Sequence, residues 1–397
     1  MRLPLLADNK SCTACCACVA ICKRQALTKK LQGDGHYYIL LNSQKCIQCG
    51  ACEKVCPIVN EKEYGNNNAN LTVPYKGYSE LVSYKTNGTS GGVFGAIAYN
   101  FIKNGGIVIG ATLQNNLCRY VAINKIEDIN LLQGSKYIYS HPEAIYSEIK
   151  KALNENKKVL FSGIPCHTAG ILSFFSKHPQ KENLYTIDLV CGGIPSKLLL
   201  DEFLKQHVNA QIKSFRQKHQ YKLSYSQDGK EKNAGYRNQL ISGYISGLTN
   251  RYSCYHCRFA FLHRESDLTL GDYWQATKSQ HNQSLILEHS KKGKELLSHE
   301  NINKAVAEWK DFLPYNPKIV IRDIHWDTRW ERKYLSFLHK SLSSYFFNLV
   351  YASIFKKYDI LGIGYLIYKK IRWHIEMHRR KIKVDIILHN LKQHRNK

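Results

Sequence analysis

The sequence predicts an α/β (α+β) chain in three successive parts: a cysteine-rich N-terminal module, a mixed sheet with helices, and a helical C-terminal tail. Three observations predict it. Two cysteine runs of identical spacing fall within the first 56 residues. From about residue 75, short apolar runs of strand length alternate with longer helical stretches. Beyond residue 318 the chain turns to basic, aromatic-rich stretches of helical character. The parts are residues 1–62, a polar linker at 63–74, residues 75–318, and the tail at 319–397.

Composition narrows the setting. The 397 residues carry 57 Lys and Arg against 31 Asp and Glu, a formal net charge of +26, which favours acidic partners. The start, "MRLPLLADNK", is too short for a signal-peptide core and meets charge at Asp8, so a cytoplasmic location is expected. In a reducing compartment the 14 cysteines read as ligands or reactive thiols rather than as a disulfide framework.

In the first part, Cys12, Cys15, Cys18 and Cys22 follow C-x-x-C-x-x-C-x-x-x-C, and Cys46, Cys49, Cys52 and Cys56 repeat it, ending on Pro57 where the first run has Lys23. Three thiolates on a tight loop suit one iron–sulfur cube, while the fourth reaches the neighbouring cube. By that crossed rule Cys12, Cys15, Cys18 and Cys56 hold one 4Fe-4S cluster, and Cys46, Cys49, Cys52 and Cys22 hold a second. A zinc ribbon has no use for four cysteines in each run. Cys16 breaks the spacing and reads as a small residue packed near the cluster, where Ala51 stands in the second run. This is a two-cluster ferredoxin-type module, and "NEKEYGNNNANLTVP" reads as its linker to the rest.

In the second part, "TSGGVFGAIAYNFIKNGG" predicts a helix with Thr89 and Ser90 as N-cap candidates and Gly105-Gly106 as the stop. "GIVIGATL", "KVLFSGI" and "LYTIDLV" predict buried strands, and "HTAGILSFFSKH" between the last two predicts a crossover helix and hence parallel pairing. Cys166 and Cys191 then lie just past the carboxyl ends of two strands, the edge where open α/β sheets gather ligands. "SCYHCRF" adds Cys254 and Cys257 before a further strand, "SDLTLGDYW". Two plus two makes a four-thiolate site, read as a third 4Fe-4S cluster, with zinc or unligated thiols as alternatives; Cys118 reads as a core or surface cysteine. The helix start at Ser90, Gly91 and Gly92 suits an anion, or its glycines allow close packing. Gly134, Ser135, Lys136 and Tyr137 could meet a phosphate and stack on a ring, or form a surface turn. Asp272 could orient a cofactor or cap a turn.

The motifs "SGGVFGAIA", "GSKYIYS", "LFSGIPCHTAG", "CGGIPS" and "SCYHCRF" with "SDLTLGDYW", in this order over about residues 75–290, resemble the beta subunit of coenzyme F-420 hydrogenases and dehydrogenases. Similar proteins often carry a fused two-cluster module. The resemblance implies a flavoprotein, here with FAD, whose own 4Fe-4S cluster is held by Cys166, Cys191, Cys254 and Cys257. It makes the residues around Ser90 to Gly92 and Ser135 to Tyr137 flavin-site candidates. Three residues depart from the family pattern: His167 stands for a usual Gln, Ile164 for a Thr and Gly192 for a His. F-420 itself is accordingly not taken as the acceptor. Some relatives are associated with surface-polysaccharide synthesis, and such a pathway is the setting the resemblance suggests.

The tail has no run of about 18 uncharged apolar residues. It reads as helices packed on the large domain, as a basic surface for an anionic membrane, or as a dock for an acidic partner. The predicted function is an iron–sulfur flavin oxidoreductase passing electrons between a hydride donor or acceptor and one-electron carriers; the alternative is a flavin-free relay. The expected partner is an acidic ferredoxin or flavodoxin, or a partner oxidoreductase. No helix-turn-helix or RNA-binding signature supports a nucleic-acid partner.

Overall fold

Runs rich in Val, Ile and Leu form the strands they predict. The computed structural model describes residues 2–60, 72–218, 220–234, 238–247, 249–262, 264–274, 283–320, 378 and 381–389. In the N-terminal module, β1 (Leu27–Leu31) and β2 (Tyr37–Leu41) form an antiparallel hairpin between the two cysteine runs. Each run is the same turn built twice. Ala14 (φ 54°) and Cys16 (φ 64°) are left-handed in the first, as Gln48 (φ 58°) and Gly50 (φ 69°) are in the second. Cys16 and Gly50 each precede a short helix, Ala17–Ile21 and Ala51–Lys54. The structural counterpart of Cys16 is therefore Gly50 and not Ala51.

The large domain follows with β3 (Val73–Ser79), β4 (Ile107–Gln114), β5 (Leu117–Ile123), β6 (Val159–Gly163), β7 (Leu184–Leu189), β8 (Gln211–Ser214), β9 (Leu223–Gln227), β10 (Lys230–Ala234), β11 (Leu268–Asp272), β12 (Ser284–Glu288) and β13 (Ile302–Val306). Eight of these make one sheet in the order β13-β3-β12-β11-β7-β6-β4-β5, while β8, β9 and β10 form a small antiparallel sheet beside it. β11, β7, β6 and β4 are mutually parallel; β5, β12, β3 and β13 are antiparallel flanks. The expected mixed sheet is present, and its parallel centre is buried on both faces: Val159, Leu160, Phe161 and Ile187 expose none of their surface. β3 starts inside the span expected to be linker; residues 61–71, most of that linker, lie outside the described residues.

The crossover from β6 to β7 is the helix Pro165–Phe175, with Pro165 at its first turn. The helix Val93–Lys103 is not capped by Thr89 or Ser90. Its N-cap is Gly92 at φ 79°, and no side chain caps it, because the left-handed turn carries both hydroxyls past the helix end.

The N-terminal module is built into this core. Cys15, Cys16, Ala17 and Val55 pack in one cluster with Tyr146, Ile149, Ile171 and Phe175 of the large domain. Donors of the large domain satisfy the carbonyls of the first cysteine turn: Tyr139 Oη donates to Ala14 O at 2.8 Å, Tyr146 Oη to Cys15 O at 2.7 Å and Arg251 Nε to Cys12 O at 2.7 Å. Most of the predicted tail lies outside the described residues. Residues 381–389 are helical, and Val384 packs among Tyr273, Trp309 and Phe312, so this piece of the tail packs on the large domain.

Gly170 marks how tight the docking is. A Cβ there would stand 2.9 Å from Cys15 Cβ and Sγ and 2.9 Å from Tyr146 Oη. Ala favours a helix interior over Gly by about 1 kcal/mol, but overpacking costs about 1–3 kcal/mol. Gly170→Ala is expected to lower the urea midpoint of unfolding; a variant as stable as the parent would refute close docking at this point.

Candidate functional site

Cys166 stands one residue inside the Pro165–Phe175 helix after β6, and Cys191 two residues past the end of β7. Cys254 lies in the helical turn Tyr252–Tyr255, with Cys257 just after it. All four line one cavity of about 320 Å³. The three segments meet there because the parallel strands deliver their carboxyl ends to the same edge, and Arg251 N donates to Ile194 O at 2.8 Å, which holds the Cys254 turn against the Cys191 loop.

Electrostatics mark the four thiols as a set. Burial pushes Cys166 well above the ordinary thiol range, and the neighbouring Cys191, Cys254 and Cys257 push it further. Burial lifts Cys254 to about 12 and Cys257 to about 11. It also raises Cys191, against which the Gly193 N–H, Lys318 and Arg264 act. Protonated thiols are thus favoured when no cation is present, whereas a positive metal core reverses the balance and draws out thiolates. Among the described residues no three His, Cys, Asp or Glu side chains close on a single metal ion. A four-iron core needs a wider ring of sulfurs than one zinc with ligands at about 2.3 Å.

The first cysteine run adjoins this cavity. Burial raises Cys15 to about 12, and Cys56 and Cys12 lie beside it; Cys18, raised chiefly by burial, has Cys15, Cys12 and Cys56 about it. The crossed set Cys12, Cys15, Cys18 and Cys56 is thus brought together. Cys56 shares an apolar cluster with Cys166 and Cys257, packed on Ile58, Ala169 and Phe259. In the second run burial raises Cys52, with Cys49 beside it, and Cys49 is exposed. Backbone N–H groups donate to Cys12, Cys46, Cys22 and Cys191 Sγ at 3.3–3.4 Å, bonds of the kind that tune cluster potentials. Cys16 points elsewhere, its thiol donating to Ala14 O at 3.3 Å. Cys118 is a core residue, 1% exposed, 3.0 Å from Ser140 Oγ.

Several of the flavin candidates are neighbours through side-chain contacts, and none of them lines the cysteine cavity. Thr89 Oγ1 lies 3.2 Å from Ser135 Oγ, joining the two loops. Ser90 Oγ donates to Gln283 O at 2.9 Å. Gly91 is explained by close approach, since a Cβ would stand 2.5 Å from Gly77 O. Gly134 is left-handed at φ 81° with open space about it. Lys136 turns away: its Nζ donates to Leu132 O and Gln133 O, capping a helix end. Tyr137 stacks on Tyr244 at 4.0 Å. Asp272 neither caps a turn nor stands free; it accepts from Arg216 Nη1 at 2.6 Å.

Arg216 is not legible in the sequence. It is 6% exposed, its guanidinium lies 5.6 Å and 5.5 Å from the ring centroids of Tyr221 and Trp274, Tyr137 lies beside it, and among the described residues its Nε and Nη2 meet no acceptor in good hydrogen-bond geometry. Gln283 Oε1 is likewise buried, with no partner among the described residues. Such orphans are costly unless a bound group completes them. No spacing or motif announces Arg216, because β8 and β9 belong to a separate small sheet. Of the departing residues, His167 is fully buried, with Nδ1 3.1 Å from Tyr120 Oη; burial, with Lys29 nearby, lowers it to about 3, so it is a neutral packing residue.

Residues 156–311 match the family model for the C terminus of the coenzyme F420 hydrogenase/dehydrogenase beta subunit, and residues 11–59 match a 4Fe-4S dicluster domain. An uncharacterized protein of Methanocaldococcus jannaschii is 28% identical over 204 residues, 43% of this chain and 54% of that protein. A subunit of the F(420)H(2) dehydrogenase of Methanosarcina mazei is 23% identical over 263 residues, 62% of this chain and 71% of that relative. Among solved structures, the xenon-derivatized F420-reducing NiFe hydrogenase complex from Methanosarcina barkeri aligns with a TM-score of 0.45 at 15% identity, over 62% of this chain and 87% of that one. The chain spans about half the length of the first of these relatives. Two segments thus match known domains, a 4Fe-4S dicluster domain near the N terminus and the C-terminal domain of the F420 hydrogenase/dehydrogenase beta subunit over residues 156–311, and the chain is similar to a subunit of an F(420)H(2) dehydrogenase. Among the described residues no helix is long and apolar enough to cross a membrane.

Burial lowers Lys136 from 10.5 to about 8. Between about pH 8 and pH 10.5 the unfolded chain then binds the proton that the folded chain has released, so stability rises with pH across that window. Lys136→Met is expected to flatten this rise when urea unfolding is compared at pH 8 and pH 10; the same slope in both proteins would show that the amine is not enclosed.

Proposed function

We propose that the chain is an iron–sulfur flavoprotein oxidoreductase. In this reading Cys12, Cys15, Cys18 and Cys56 hold one 4Fe-4S cluster, Cys46, Cys49, Cys52 and Cys22 a second, and Cys166, Cys191, Cys254 and Cys257 a third. FAD binds beside Ser90, Ser135, Tyr137 and the Asp272–Arg216 pair. The observation that carries the reading is the convergence of four cysteines from three distant segments on one cavity that abuts Cys15 and Cys56. A bound flavin exchanges a hydride with a substrate, and the clusters pass its electrons on one at a time. The chain's part is to hold and insulate: Arg216 and Gln283 offer donors and an acceptor without a partner among the described residues, and the stacked pair Tyr137–Tyr244 offers an aromatic wall.

The second run faces outward. Lys23, Arg24, Lys45 and Lys54 are exposed beside it, and Ile47 is 60% exposed. An acidic ferredoxin or flavodoxin, or an acidic patch of a partner oxidoreductase, fits this face, by attraction that salt screens. The flavin-free relay has its own support in Gly91, explained by packing alone, and in Lys136, turned into the protein.

Protein purified without oxygen is expected to carry about twelve irons and one flavin per chain. About eight irons without flavin would leave only the N-terminal relay. Cys254→Ser is expected to lose about four irons and Cys16→Ala none; equal losses would overturn the ligand assignment. Electron transfer to an acidic carrier is expected to slow as salt rises, and a rate indifferent to salt would remove the basic docking face.

A further inference from the structure

Gly192 follows Cys191 directly, and the space its side chain would take is filled by two polar groups from elsewhere. A Cβ at Gly192 would stand 2.5 Å from Tyr244 Oη and 2.6 Å from Lys318 Nζ. Lys318 lines the same cavity as the four cysteines, and its Nζ lies 5.8 Å from the centroid of the Tyr244 ring. Its backbone is fixed. Lys318 belongs to the turn Pro317–Ile319; Ile319 is fully buried, and Asn316 beside it donates from its side chain to Trp274 O at 3.3 Å and Phe312 O at 3.0 Å. Arg264, which also lines this cavity, pairs with Asp188 at 3.0 Å, and Lys10 and Arg258 line it as well. The backbone that carries Lys318 is therefore fixed by packing, and its half-buried side chain brings Nζ to the Cys191 edge.

We infer that Lys318 is a positioning residue that takes the place left by the missing side chain at 192 and sets the reduction potential of the cluster held by Cys166, Cys191, Cys254 and Cys257. The inference rests on the third cluster proposed above. When that cluster accepts one electron, the charge of its core and four thiolates becomes more negative by one. A fixed cation at the Cys191 edge stabilises the reduced form more than the oxidised one and raises the potential. The attraction is little weakened by salt, because the amine lies in a cavity wall rather than in open water.

The test is a dithionite titration followed by EPR on the full chain, purified without oxygen, with the third cluster's signal identified as the one lost in Cys254→Ser. Lys318→Met is expected to make reduction of that signal at least tenfold less favourable, about 59 mV for a one-electron couple, and to leave the other two signals in place. Lys318→Arg is expected to retain the parent potential. Gly192→Ala, whose methyl group displaces the amine, is expected to shift the same signal in the same direction as Lys318→Met. Should Lys318→Met lose iron, Gly192→Ala and Lys318→Arg still decide the matter: a shift in the first without a shift in the second supports the inference. Unchanged potentials in variants that keep parental iron overturn it and leave the third cluster standing. A parent protein with about eight irons and no signal removed by Cys254→Ser overturns the third cluster itself, and this inference with it.

Discussion

The seating of the first cysteine turn on the large domain is the contact on which the remaining arrangement depends. A tight loop that aims three sulfurs at one point must aim its carbonyls outward, and here those carbonyls are buried. Cys12, Ala14 and Cys15 are relieved by Arg251, Tyr139 and Tyr146, whose donors come from three different segments. Charge-assisted or buried bonds of this kind are costly to break one partner at a time. Because Arg251 also bonds Ile194 through its backbone, the same residue ties the Cys12 turn, the Cys254 turn and the Cys191 loop into one body. Fixed spacing between neighbouring redox centres is what such a body supplies.

The parallel centre of the sheet explains why the large domain can offer a matching edge. β6 and β7 end side by side, so Cys166 and Cys191 emerge at one rim without any local signal linking them. β11 ends at the same rim with Asp272, and Ser90 reaches it there, its Oγ 3.4 Å from Gly271 O. Topology, rather than sequence proximity, assembles both candidate centres.

Much of this is legible in the sequence, for identifiable reasons. Repeated cysteine spacing is a local pattern, and β-branched runs of strand length are read directly; Cys166, Cys191, Cys254 and Cys257 can be grouped because strand ends in a parallel sheet share an edge. What escapes has a common cause. Arg216, Arg251 and Lys318 act through contacts whose partners lie far along the chain, and a lone basic residue in a chain with 57 Lys and Arg carries no signal. Thr89 and Ser90 mislead because hydroxyls before an apolar run predict a cap, whereas Gly92 at φ 79° turns the chain before the helix starts. The constant spacing of the two runs in the sequence already aligns Cys16 with Gly50, and the shared left-handed backbone agrees; the comparison with Ala51 is one residue out of register.

Desolvation of the thiols differs between the cysteine sets, although by exposed surface the inner four, which line an open cavity, are half-buried while Cys15 and Cys52 are buried. It raises all four thiols of the inner set, then Cys15, Cys18 and Cys56, and in the last run Cys52, where Cys49 is exposed. Low dielectric disfavours the extra negative charge of a reduced centre, and water favours it. In the proposed three-cluster reading, desolvation alone would favour an electron moving from the inner set toward the surface. A cation at the inner edge works against that slope by steadying the electron where it first arrives. The difference in desolvation and the placement of Lys318 therefore act in opposite directions, and their balance fixes how readily the inner centre takes an electron and how readily it gives it up.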